Sequence, residues 1–158
     1  MKITDALLGE HGLFYAQFDL IEARLTEGAG GENIRGEAAA LGAALVSHAR
    51  IENEILLGAL EPHLGRGSGP VAVMRDDHEQ IEGLFEGFPE TASADEIRRH
   101  LLHAIRFARD HFAKEERALF PMAHEILGDD VLHAMGRAWA DARRVTLADV
   151  SACGGGCC

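Results

Sequence analysis

The sequence predicts an all-α fold, an up-down-up-down four-helix bundle with a short additional C-terminal helix, and three observations carry that expectation. Four amphipathic segments follow one another at helical spacing, separated by Gly- and Pro-rich breaks short enough to make neighbours antiparallel. Each segment sets a histidine on its apolar face: His11, His48, His78 and His111. Three of them add a carboxylate four residues later, Glu52, Glu82 and Glu115, and residues four apart on a helix point the same way.

The first helix starts with Thr4 or Asp5 as its cap and runs to about Glu27, where Gly28 to Gly31 break it. Its stripe is Leu7, His11, Phe14, Phe18, Ile21 and Leu25. Asn33 caps a second helix on the stripe Leu41, Ala44, Leu45, His48, Glu52, Ile55 and Ala59, which Pro62 and a glycine-rich loop through Pro70 stop at about Glu61. A third helix covers about residues 71–87, with Val71, Met74, His78, Ile81, Glu82 and Phe85 on one face and Phe88-Pro89 at its end. Ser93 and Glu96 have capping-box spacing for a fourth helix from about Ala94 to Phe120. Its stripe is Ile97, Leu101, Ala104, Ile105, Ala108, His111, Phe112, Glu115 and Leu119, and Pro121 sits at a kink or in the first turn of a continuation to Leu127. Asp129 to Arg144 forms the extra helix, laid over the bundle end on Val131, Leu132, Met135, Trp139 and Ala142.

Helix rise tests whether the histidines meet. At about 1.5 Å per residue, His11 lies roughly 24 Å before the first loop and His48 roughly 22 Å after it, so they share a level. The third hairpin is out of register: about 10 Å remains in the third helix while the fourth needs about 28 Å. Either the connection from Phe88 to Ser93 climbs along the bundle, or the third helix is longer.

At 158 residues and 17.0 kDa the chain is expected to be one domain over residues 1–150, followed by a flexible tail, residues 151–158. A net charge of -11 with no basic face argues against nucleic acid and against anionic membrane surfaces as partners. Asp5 and His11 interrupt any apolar leader, and no window has the length of a membrane span, so the expected location is cytoplasmic. Cys153, Cys157 and Cys158 all fall in the tail, where they cannot staple a core. A soft metal, an intermolecular disulfide, electron relay and no single role are all open to them.

Burying a carboxylate costs several kcal/mol unless a charge compensates it, and no lysine or arginine lies on these stripes. A metal ion is the expected partner, held by His11, His48, Glu52, His78, Glu82, His111 and Glu115. Imidazole and carboxylate suit iron, zinc and manganese. The pattern His48-x3-Glu52-x3-Leu56-Leu57 repeats as His111-x3-Glu115-x3-Leu119-Phe120, and two such hairpins face ligands around one centre, as in bundles that hold two metals. Tyr15, one turn after His11, faces that centre, while Arg50 and Lys114 point away from it.

These residues resemble the hemerythrin-like, or HHE cation-binding, domain over about residues 3–127, most specifically in HxxxEExxLFP at His111 to Pro121. The resemblance implies a non-haem di-iron centre of two iron ions joined by an oxo or hydroxo bridge. His11 and His48 would bind one iron, His78, His111 and Glu82 the other, and Glu52 and Glu115 would bridge them. Oxygen-carrying hemerythrins have a second histidine where this chain has Glu82, so the pattern is more similar to iron-sensing and nitrosative-stress members. The expected function is binding or sensing of a small ligand, dioxygen or the iron and redox state. The alternative is a di-iron enzyme acting on peroxide or nitric oxide, or an iron donor for iron-sulfur cluster repair. Turnover would need an external electron donor, because no flavin, haem or ferredoxin-like module is visible. Glu116 is expected to be solvated or to orient a ligand histidine through its free nitrogen.

Overall fold

In a computed structural model, which describes residues 1–27, 31–86 and 92–147, the chain is built from four helical rods, with no strand among the described residues. The first rod is α1 (Ile3–Thr26). The second runs through α2 (Gly31–Ile51), a π-helical turn (Glu52–Leu57) and α3 (Gly58–Leu64). The third is α4 (Gly69–Phe85), and the fourth joins α5 (Ala94–Lys114), a second π-helical turn (Glu115–Leu119) and α6 (Phe120–Arg143). No described helix is long and apolar enough to cross a membrane.

The helix ends follow local chemistry with some corrections. Asp5 caps α1 from inside its first turn, its carboxylate accepting from Lys2 N–H at 2.9 Å. Thr4 instead turns inward and meets His124 Nε2 at 3.0 Å. The second rod starts at Gly31, two residues ahead of Asn33, whose side chain lies outside the described residues. Pro62 does not stop it; the helix carries the proline in its last turns and ends at Gly65, whose φ of 81° suits glycine. The Ser93–Glu96 capping box forms as expected, Glu96 N–H donating to Ser93 Oγ at 3.3 Å. Pro121 is absorbed without a kink. Its ring would strike the carbonyl of Arg117, and Arg117 lies in the widened π turn. The break comes seven residues later, at Gly128 (φ 73°, ψ 167°).

Two apolar clusters fill the bundle, one above the other. Phe14, Phe18, Ile21, Leu45, Ile81, Leu101, Ile105 and Phe112 belong to the first, and Ile3, Leu7, Leu56, Leu60, Val71, Leu119, Phe120 and Leu132 to the second. In the second rod the buried side chains after Glu52 are Leu56, Leu57 and Leu60, and the expected Ile55 and Ala59 are only half-buried. The π turn supplies the reason: one extra residue in the turn moves the apolar face on by one position.

The third hairpin reaches its register without a longer third helix. α4 ends at Phe85 and does not lengthen. Instead α5 begins beyond its end: Ile97 packs in one cluster with Ile34 and Ala38, Arg35 Nη2 donates to Ala92 O at 3.2 Å, and His100 Nε2 reaches Leu84 O at 2.7 Å. Residues 87–91 of the connection, with Phe88 and Pro89, lie outside the described residues, as do residues 148–158 with the three cysteines. α2 and α4 approach closely because position 42 is glycine; a Cβ there would lie 2.8 Å from that of Phe85.

After Gly128 the second half of α6 folds back along α1. Its inner face is Leu132, Gly136 and Ala140 with Met135, Trp139 and Arg143 half-buried, so the expected Val131 and Ala142 turn outward. Gly136 sets this, since a Cβ there would lie 2.3 Å from Met1 O.

Gly128 occupies backbone space that is nearly closed to other residues, and an added Cβ would meet nothing within 4 Å. Gly128→Ala is therefore expected to lower stability by about 1–3 kcal/mol through backbone strain alone. Urea titration of the variant against wild type checks this; an unchanged midpoint would show that the break does not depend on glycine.

Candidate metal centre

Between the two apolar clusters lies one polar layer. His11, His48, Glu52, His78, His111 and Glu115 enter it from all four rods, and each is at most 4% exposed. The four Nε2 atoms converge. His11 Nε2 and His48 Nε2 are 3.3 Å apart. Glu115 spreads its oxygens between the two halves: Oε2 lies 3.2 Å from His11 Nε2, and Oε1 lies 2.9 Å from His111 Nε2 and 3.5 Å from His78 Nε2. Glu52 Oε2 is 3.6 Å from Nε2 of both His48 and His78. Two groups of donor atoms fit a cation each, His11 with His48 and Glu115, and His78 with His111 and Glu115. Glu52 spans them without closing fully on either.

The opposite ring nitrogen of every histidine is held by a polar side chain from the neighbouring rod. Glu10 on α1 holds His48 Nδ1 at 2.6 Å, and Asn53, one residue after Glu52, holds His78 Nδ1 at 3.0 Å. Asp77 on α4 holds His111 Nδ1 at 3.2 Å, and Glu116 holds His11 Nδ1 at 3.0 Å. The ring closes around the bundle. A carboxylate or amide oxygen can only accept, so each Nδ1 donates and each Nε2 presents its lone pair inward. Of the two places open to Glu116, solvent or the free nitrogen of a histidine, it takes the second. Glu10, Asn53 and Asp77 were not singled out in the sequence, although each is a polar residue next to a ligand position.

The layer therefore consists of acceptors. Both oxygens of Glu52 and Glu115, with Nε2 of His78 and His111, are buried without an aligned hydrogen bond. Such a set is costly unless positive charge enters it, and the donor types suit a first-row metal. Protons show the same demand. Burial opposes charging His111, but Asp77 and Glu115 outweigh it and hold its pKa up at about 9. His11 and His78 are raised by carboxylates in the same way, against their burial. Glu115 is held well below the usual carboxylate range, since His11, His111 and His78 overcome its desolvation.

Glu82 does not join. It is exposed on α4 and lies in neither donor group. His48–Glu52 and His111–Glu115 each run directly into a π turn, whereas α4 is a regular helix in which Ile81 and Phe85 carry the buried face onward. The same four-residue spacing then leaves Glu82 on the flank. It lines a cleft of about 350 Å³ between α2 and α4 together with Arg50, Asn53, Glu54 and His78. Lys114 is exposed but bonds Asp77 Oδ2 at 2.6 Å, so it is tied to the support of His111. Tyr15 Oη donates to Glu116 at 3.0 Å, and burial with that bond pushes its pKa up to about 12. His63 and His103 are exposed, and His100, His124 and His133 bond elsewhere.

Residues 2–123 match the family model described as the hemerythrin HHE cation-binding domain. No curated protein and no solved structure matches the chain.

Protein stripped of metal should show the proton demand directly. His111, raised from 6.5 to about 9, contributes stability that is fully present below pH 6.5 and is lost as pH rises through 9. The expected loss over that window is on the order of 3 kcal/mol. Denaturation of the stripped chain at pH 6.5 and pH 9 checks it, and equal stabilities would contradict this electrostatic account.

Proposed function

We propose, on the premise that this chain belongs to the hemerythrin HHE cation-binding domain family, that it is a non-haem di-iron protein that binds or senses a small ligand. The carrying observation is Glu115, one buried carboxylate whose two oxygens face two different histidine pairs. In this reading His11 and His48 hold one iron and His78 and His111 the other. Glu115 and Glu52 would be shared by both, and Glu82 would be no ligand. Bound there, the irons supply one-electron redox change and open coordination positions.

The chain's own residues govern the rest. Each of the two groups offers three protein donors, with Glu52 Oε2 3.6 Å from Nε2 of His48 and of His78, so a metal held there would keep positions of an octahedron open for a ligand. Above and below the layer, Phe14, Phe112 and Phe120 exclude bulk water, His11 stacking on Phe112 at 3.9 Å between ring centres. Buried His78 forms the inner side of the α2–α4 cleft, a path suited to dioxygen, nitric oxide or peroxide rather than to a bulky substrate. Reversible capture asks only that the bound ligand leave unchanged, whereas turnover also needs electrons and protons brought to it. The chain Tyr15–Glu116–His11 supports a second reading, reduction of peroxide or nitric oxide with electrons from an external donor, because it links the layer to a half-buried phenol.

Glu115→Ala should lose both irons together, whereas Glu82→Ala should keep both. Metal analysis per chain and optical spectra under nitrogen and then air decide it. Two irons retained by Glu115→Ala would end the shared-bridge reading, and loss of one iron by Glu82→Ala would return Glu82 to the ligand set.

A further inference from the structure

The four supports of the histidines are not equal. Asp77 is steadied by Lys114, a single exposed ammonium, and Glu116 by the Tyr15 hydroxyl. Asn53 is neutral. Glu10 alone is gripped on both oxygens: Arg143 Nε donates to Oε1 at 2.6 Å and Nη2 to Oε2 at 2.9 Å, and Trp139 Nε1 donates to Oε1 at 3.0 Å. Arg143 Nη1 also donates to Ser47 Oγ at 2.6 Å, the residue preceding His48. Trp139 and Arg143 stand four apart on one face of the second half of α6, and that half lies beyond the matched residues 2–123.

A planar guanidinium meeting a carboxylate through two parallel bonds fixes both position and plane, which one lysine nitrogen cannot do. Glu10 is 14% exposed, so its geometry is set by these partners more than by water. Its Oε2 in turn aims His48 at 2.6 Å. We propose that Arg143 and Trp139 are positioning residues for the metal at His11 and His48. They lock the Glu10 carboxylate that fixes the ring of His48, and so make the C-terminal helix a working part of the centre. This rests on the two-metal reading above. It goes beyond that reading because it assigns a role at the centre to residues outside the family domain.

The full chain, stripped of metal and titrated with ferrous iron under nitrogen against a competing chelator, tests it. Wild type should show two binding events. Arg143→Gln should weaken one of them, by up to the roughly 10- to 100-fold that follows loss of a metal ligand's direct partner, and leave the other unchanged. Glu10→Gln should weaken the same event, and the double variant should be no worse than Glu10→Gln alone, because both changes break one chain of contacts. Arg143→Lys should recover part of the loss. Leu132→Ala, which loosens the packing of the same helix without touching Glu10, should lower the melting temperature and leave both affinities in place. Affinities within about twofold of wild type in Arg143→Gln would overturn the proposal, as would an equal loss in Leu132→Ala. Should wild type take up fewer than two irons, the two-metal reading fails by itself. The clamp is then judged by the His48 Nδ1 proton resonance of the stripped chain. It should move in Arg143→Gln and not in Leu132→Ala, and an unmoved resonance in Arg143→Gln overturns it.

Discussion

The constraint that orders this molecule is a layer of inward-facing acceptors closed between two apolar clusters. Water is kept out by the phenylalanines and leucines on either side, so the lone pairs of His78, His111 and the two glutamates find no aligned donor among the described residues. Positive charge has to be supplied from outside the chain, as protons or as metal. The raised histidines and the depressed Glu115 express this demand in one form, and a bound cation expresses it in the other. Stability and metal binding therefore draw on the same atoms.

The two π turns are how the backbone accommodates that layer. A helix that buries a carboxylate and then an uninterrupted leucine face has to rephase between the two. The turns at Glu52–Leu57 and Glu115–Leu119 do this at matching offsets, each starting at the glutamate. The duplication visible as His48-x3-Glu52-x3-Leu56-Leu57 and His111-x3-Glu115-x3-Leu119-Phe120 is thus one of backbone as well as of side chains. α4, without such a turn, has its histidine in the layer and its carboxylate out of it.

That difference marks the limit of what periodicity reveals. The rods, their stripes on α1, α4 and α5, and the inward histidines are all legible, because burial writes a 3.6-residue period into the sequence. Glu52, Glu82 and Glu115 share one spacing, and spacing alone separates none of them; the separation lies in hydrogen bonds that slip by one residue. Pro62 reads as a stop, and a kink stays open at Pro121, for a related reason, since a proline rule assumes a regular helix around it. The supports Glu10, Asn53 and Asp77 escape notice because each lies one step from a ligand, where a polar residue on a solvated flank is the ordinary expectation. Only the packing of the neighbouring rod turns that flank toward a histidine nitrogen.

The ring of supports also makes the centre a property of the whole bundle. Every histidine is aimed by the rod beside it, so a shift of one helix moves the ring of a residue on another. The arrangement is uneven: the His11 and His48 side is backed by two carboxylates, the His78 and His111 side by one carboxylate and an amide. A carboxylate behind an imidazole strengthens it as a donor more than an amide does, so two metals held here would differ in electron density despite similar ligands. The halves are thus unequal before any cation enters, and the inequality lies in Asn53, the one neutral side chain among the four supports.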